Sequence, residues 1–217
     1  MDIIPAINAV NFEEAKKQFE KIAATGAPMF HLDIVDGTFA PNVTWGSPEE
    51  LQQLITNYQL PITNNFEIHL MVKNPELVVD GWLQAGAKRI IVHVEAMNDE
   101  EVITDQCKEH GAEAMLAAWP NTSIDDLLAY KKEFQMFQLL AVPPGRAGQK
   151  FDERILEKIR ELREALPDAT IEVDGGINLG TAKPAKAAGA DILVSASYIL
   201  KSVDPRKAYE ELRIATE

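Results

Sequence analysis

The chain has 217 residues, 46% of them hydrophobic, and carries 34 acidic against 21 basic side chains, a formal charge of −13. That acidity argues against a nucleic-acid partner, since a phosphate backbone is held by a basic surface. No apolar run approaches the ~18 residues of a membrane span, and Met1-Asp2-Ile3-Ile4-Pro5 lacks the basic and apolar regions of a signal peptide. Cys107 is the single cysteine, so no internal disulfide framework is expected and a cytoplasmic location is.

Short apolar runs rich in β-formers alternate with longer amphipathic segments to the end of the chain. The spacing predicts strands over Ile3–Ala6, Met29–Asp33, Phe66–Leu70, Arg89–His93, Glu113–Ala117, Met136–Leu140, Thr170–Asp174 and Ile192–Ser195. Between them it predicts helices, among them Phe12–Ala24, Glu49–Asn57, Glu100–His110 and Glu153–Ala165. Phe12, Ala15, Phe19, Ile22 and Ala23 give the first helix one buried stripe, with Asn11 as its N-cap and Glu13 and Glu14 in its first turn. Ile155, Leu156, Ile159, Leu162 and Leu166 give a later helix its stripe, and Pro167 ends it. Gly26, Gly86, Gly111 and Gly189 each stand where a helix would end before a strand. Alternation without a linker or low-complexity segment means parallel strands joined by crossover helices. About eight such units in this length favour one (β/α)8 (TIM) barrel domain over residues 1–217, with an open doubly wound sheet as the alternative.

In such barrels, chemistry sits at the C-terminal ends of the strands. The second predicted strand ends in His31-Leu32-Asp33, and period-2 alternation sends His31 and Asp33 to one side. The third approaches its end with His69-Leu70-Met71 and the seventh closes with Glu172-Val173-Asp174-Gly175-Gly176. Two imidazoles and two carboxylates converging on one mouth make a divalent-metal set of mixed N and O donors, suited to Zn, Fe, Co or Mn. Taken singly, each is also read as a hydrogen-bonded polar group lining the mouth. His93, at the end of the fourth strand, reads as a supporting or structural residue, and His110 as a cation at a helix end.

Gly145-Arg146-Ala147-Gly148 follows the sixth strand, Gly175-Gly176 the seventh, and Ala196-Ser197 the eighth, where a short helix begins. Turns of this kind expose N–H groups that can cradle a phosphate. On a chain of this charge, a phosphorylated ligand needs such local donors or a placed cation.

These residues resemble the ribulose-phosphate 3-epimerase family. The resemblance runs from Ile4-Pro5 to the C-terminal helix. Its most specific pieces are His31-Leu32-Asp33-Ile34-Val35-Asp36-Gly37-Thr38-Phe39-Ala40-Pro41-Asn42, Glu67-Ile68-His69-Leu70-Met71-Val72, Pro144-Gly145-Arg146-Ala147-Gly148-Gln149-Lys150-Phe151 and Glu172-Val173-Asp174-Gly175-Gly176-Ile177-Asn178. The resemblance implies that His31, Asp33, His69 and Asp174 hold one divalent metal ion, zinc as first choice. It also implies that Asp33 and Asp174 serve as acid and base, interconverting D-ribulose 5-phosphate and D-xylulose 5-phosphate at C3 through a metal-stabilised enediolate. It further implies a phosphorylated ketose as substrate, a homo-oligomer, and Met71 beside the reacting carbons.

The lining departs from the family's pattern. Ala6 stands where serine is usual, Trp119 and Pro143 where asparagine is, Arg146 for phenylalanine, Ala147 and Ala196 for glycine, and Val35 and Leu140 for methionine. The metal and acid–base set is spared, while pentulose preference is left open against a ketohexose 6-phosphate such as allulose 6-phosphate. A catalytically inactive sugar-phosphate-binding barrel is the alternative of another class. The neighbouring decarboxylase and synthase barrels use Asp-x-Lys-x-x-Asp after the same strand, and Val35 and Thr38 occupy the lysine and second aspartate positions here.

Overall fold

A computed structural model describes residues 1–57 and 65–217. Eight parallel strands close into a barrel in sequence order: β1 (Asp2–Ile7), β2 (Phe30–Val35), β3 (Phe66–Met71), β4 (Arg89–His93), β5 (Glu113–Ala118), β6 (Met136–Leu140), β7 (Thr170–Asp174) and β8 (Ile192–Ser195). The helices around it are α1 (Phe12–Ala23), α2 (Pro48–Asn57), α3 (Val79–Gln84), α4 (Glu100–Glu109), α5 (Ile124–Leu128), α6 (Ile155–Ala165), α7 (Leu179–Ala188), α8 (Ser197–Leu200) and α9 (Pro205–Ala215). The expected (β/α)8 barrel is present, and four strands keep their expected bounds.

Local chemistry sets the ends of the elements. Asn11 Oδ1 accepts from the Glu14 N–H at 2.9 Å, capping α1 as expected, and Ala15, Phe19 and Ile22 are its buried stripe. α6 buries Ile155, Ile159 and Leu162 but starts two residues later than its pattern suggests. Arg154 there is pinned to the Asp152 carboxylate by its guanidinium and its own N–H, which holds Glu153 and Arg154 in a turn. His110 is the C-cap of α4, its N–H bonded to Gln106 O, and its ring lies 3.3 Å from the Asp80 carboxylate.

β2 runs two residues beyond Asp33, to Val35. On one edge Ile34 and Val35 pair with Leu70 and Met71 of β3, and on the other Thr44 takes over where β1 stops: its Oγ1 accepts from the Val35 N–H at 2.8 Å and donates to Asp33 O at 2.7 Å, while its own N–H bonds Val35 O. His31 and Asp33 therefore sit below the rim of the barrel.

Alternation along every strand divides the buried side chains into two sets. Phe30, Leu32, Ile68, Leu70, Ile90, Val92, Phe137, Leu139 and Val173 join the helix stripes in one apolar core. The barrel interior holds smaller apolar groups, such as Ile4, Ala6, Ile192 and Val194, and an unusual share of polar side chains. Strand register builds that polar interior: His31 lies opposite Glu67, Asp33 opposite His69, and Gln138 opposite Glu172.

Candidate active site

The floor of the site is ionic. Arg89, 6% exposed, donates from Nη1 to Glu67 Oε2 at 2.6 Å and from Nε and Nη2 to Glu113 Oε2 at 2.9 and 2.7 Å. Glu172 lies 3.7 Å from the same guanidinium and accepts from Gln138 Nε2 at 2.8 Å. Burial and the Glu67 charge push the Glu172 carboxyl up to about 8, so it is neutral at pH 7. None of these floor residues is marked in the sequence as a site residue, because each lies at the N-terminal or middle part of a strand and not at its C-terminal end; all but Glu113 are buried. Residue alternation is the only signal that turns them inward.

Above the floor, His31, Asp33, His69 and Asp174 offer donor atoms all within 4.8 Å of one another. Asp33 Oδ1 lies 3.2 Å from His31 Nε2 and 3.1 Å from His69 Nδ1, and those two nitrogens are 3.2 Å apart. Asp174 Oδ2 is 3.7 Å from His69 Nδ1. The four residues singled out in the sequence are thus brought together. The outer nitrogen of each imidazole is also occupied: His31 Nδ1 meets Glu67 Oε1 at 2.7 Å, and His69 Nε2 meets His93 Nε2 at 2.8 Å. Such outer partners orient an imidazole toward an ion.

The electrostatics separate the two aspartates. Burial opposes the Asp33 charge, but its contacts with the His31 and His69 imidazoles outweigh it and hold the carboxylate far below its usual range. Burial and the Asp33 charge instead push Asp174 up to about 7. Burial opposes the charged form of His31, yet Asp33 and Glu67 hold it well above the ordinary histidine value. Burial, with the neighbouring His93 and His31, drives His69 down to about 3 and keeps it neutral. A cation held among these donors would displace the Asp174 and His31 protons and relieve the crowding of acceptors. The donor set fits a divalent ion of intermediate softness.

Around this cluster lies a cavity lined by Asp33, Asp174, Asn8, Met71 and Leu140, and by three loops carrying Gly145, Arg146, Ala147, Gly148, Gly175, Gly176, Ala196 and Ser197. All the loop residues expected at a phosphate site therefore meet at one mouth. Two of the glycines are required by close approach. A Cβ on Gly145 (φ +106°) would lie 2.1 Å from Asn42 Oδ1, and one on Gly176 (φ +69°) would lie 2.6 Å from the Phe151 nitrogen. Gly145 O accepts from both Asn8 Nδ2 (3.3 Å) and Asn42 Nδ2 (2.7 Å), and the Asn8 amide also donates to Asp33 Oδ2 at 2.9 Å. Asn8 was not singled out by the sequence, although the rule that points to strand ends applies to it as it follows β1.

Arg146 is exposed and its guanidinium bonds to no described residue, while its carbonyl accepts from Gln149 Nε2 at 2.9 Å. Trp119 lies outside the central cavity, on a neighbouring cleft with Phe39, Pro143 and Arg146. Its ring packs edge-on against Phe39 at 5.1 Å. Met71 is buried at 2% exposure against Val35 and Ala40, combining the packing and lining roles.

A profile of the ribulose-phosphate 3-epimerase family matches residues 2–200. The ribulose-phosphate 3-epimerase of Chlamydia muridarum is 37% identical over 205 residues, covering 92% of this chain and 88% of that protein. That of Bacillus subtilis is 31% identical over 217 residues, covering 97% of each. A 3-hexulose-6-phosphate synthase from Salmonella typhimurium superposes with a TM-score of 0.74 over 100% of this chain and 98% of that one, at 15% identity, a likeness of fold alone. Sequence match and the geometry of the mouth agree, and the chain belongs to the ribulose-phosphate 3-epimerase family.

Proposed function

We propose that the chain interconverts D-ribulose 5-phosphate and D-xylulose 5-phosphate, with Asp33 and Asp174 exchanging the C3 proton. The observation that carries this reading is that Asp33 and Asp174 line one cavity beside the two imidazoles. Either carboxylate can take the C3 proton and, once protonated, return it. Entering from β2 and β7, they address a ketose from two directions, as inversion at C3 requires. His31, Asp33, His69 and Asp174 would hold the divalent ion, zinc as first choice. When bound, that ion supplies Lewis-acid stabilisation of charge developing on the ketose oxygens. The backbone N–H groups of the 145–148, 175–176 and 196–197 turns receive the phosphate, and Arg146 adds the placed cation that a chain of charge −13 needs.

The test is proton NMR of ribulose 5-phosphate with metal-loaded enzyme in D2O. Deuterium should enter C3 as xylulose 5-phosphate appears, and absence of both at high enzyme concentration overturns the pentulose assignment. A ketohexose 6-phosphate is the second reading, favoured by the cleft of Phe39, Trp119, Pro143 and Arg146 that adjoins the mouth. An inactive sugar-phosphate binder is opposed if the purified protein carries stoichiometric transition metal.

A further inference from the structure

His93 and Glu95 extend the site outward from His69 in a line that the proton exchange does not use. The His93 ring is fully buried, stacks on His69 at 22° with centroids 5.0 Å apart, and is covered by Phe39 at 4.8 Å. Its Nε2 lies 2.8 Å from His69 Nε2, and its Nδ1 lies 3.1 Å from Glu95 Oε2. Glu95 is held in turn: its Oε1 accepts from the Trp119 N–H at 2.8 Å and from Thr122 Oγ1. The Trp119 peptide is anchored by Lys158 Nζ, which donates to its carbonyl at 2.8 Å.

Each contact permits only certain protons. An ionised carboxylate accepts and never donates, so the Glu95–His93 bond places a hydrogen on His93 Nδ1. Although burial opposes its charge, hydrogen bonds from His93, Thr122 and Trp119 keep Glu95 below the usual glutamate range and ionised. The two Nε2 atoms lie 2.8 Å apart and share one hydrogen, so one of the rings must accept there. His69 Nδ1 faces Asp33 and Asp174, and for it to serve an ion among them the shared hydrogen must sit on His69 Nε2, with His93 accepting at Nε2 and donating from Nδ1 to Glu95.

We propose that Glu95, acting through His93, is a positioning residue that dictates which nitrogen His69 presents to the ion. The two metal-site imidazoles are thereby set by different devices. His31 presents Nε2 because Glu67 takes its Nδ1 directly, whereas His69 presents Nδ1 because a second imidazole relays the carboxylate's demand. The proposal rests on the reading that His69 holds an ion.

The test is long-range 1H–15N correlation spectroscopy on the full chain, labelled at histidine, metal-free and zinc-loaded, at one fixed pH. In the loaded form His69 Nδ1 should bear the zinc, His69 should carry a proton on Nε2, and His93 should carry its ring proton on Nδ1. A proton on His93 Nε2 in the loaded form overturns the proposal. Glu95→Leu should weaken zinc binding on the order of 10–100-fold in competition with a chromophoric chelator, the usual effect of removing an outer partner. His93→Phe, which keeps the stacking, should do the same. A folded Glu95→Leu protein with unchanged zinc affinity and unchanged ring protons also overturns it. Failure of the wild-type chain to take up zinc removes the metal reading, whereas zinc uptake with a proton on His93 Nε2 removes the relay alone.

Discussion

His31 Nε2 and His69 Nδ1 lie 3.2 Å apart, and one carboxylate oxygen of Asp33 stands 3.2 Å from the first and 3.1 Å from the second. Three atoms that can accept hydrogen bonds or ligate ions thus face one another at hydrogen-bonding distance. What fills the space between them, a proton or a metal ion, depends on pH.

Metal uptake should therefore release protons. Asp174 is pushed up to about 7 and His31 is held above its ordinary value, and both must lose a proton to act as ligands. Affinity should fall as pH drops through about 7, and above that value it should keep rising until His31 has also given up its proton. Calorimetry of zinc binding in buffers of different ionisation enthalpy reads the protons directly. A pH-independent affinity with no proton release would contradict the assignment.

Asp174→Asn should lower turnover by about 10²–10⁴, the range for loss of a general acid or base. The metal-free variant should also be more stable than wild type at neutral pH. The sign follows from the folded value near 7 against an ordinary value of 3.8: the unfolded chain gives up the proton first, so wild-type stability is lost as pH rises between the two. The advantage should vanish near pH 4 in thermal melts. Equal melting temperatures at pH 8 would show that the carboxyl is not strained in the fold.

Arg146→Ala should raise KM for phosphorylated substrate roughly tenfold, the worth of a charge-assisted hydrogen bond, with kcat little changed. An unchanged KM would make Arg146 a solvent-facing loop residue.

Two glutamates of the floor should respond differently to the same isosteric change. Glu172→Gln replaces a carboxyl pushed up to about 8, toward its neutral form at pH 7, and should cost at most about 1 kcal/mol, the worth of one hydrogen bond. Glu67→Gln leaves Arg89 short of a charge in a buried site and should cost about 3–5 kcal/mol. Denaturant titrations that rank the pair the other way would mean that the proton resides on Glu67.

The barrel was legible because its strands and helices alternate with different periods, and the ligand set because His31, Asp33, His69 and Asp174 are polar residues at inward positions near strand ends. The extension of β2 to Val35 was hidden because it depends on partners distant in the chain, Leu70 and Met71 of β3 on one edge and Thr44, folding back, on the other. The floor was hidden for a related reason. Glu67 and Arg89 look like solvent-facing charges at strand starts, and only the register of β3 against β4 sets them opposite each other, 2.6 Å apart. His93 showed as an inward residue, but the directionality of its hydrogen bonds required Glu95 and Trp119 to be placed in space.

The Gly145 carbonyl, shared by the amides of Asn8 and Asn42, gives the loops above the barrel a mechanical link to the reacting groups. Because Asn8 also grips Asp33, any shift of the glycine turn on closing over a phosphate reaches that carboxylate within two hydrogen bonds. The distal end of the sugar would then act as a trigger as well as a handle. Unphosphorylated ribulose should turn over slowly even at saturation, and added phosphite should restore part of the rate without being attached to the sugar.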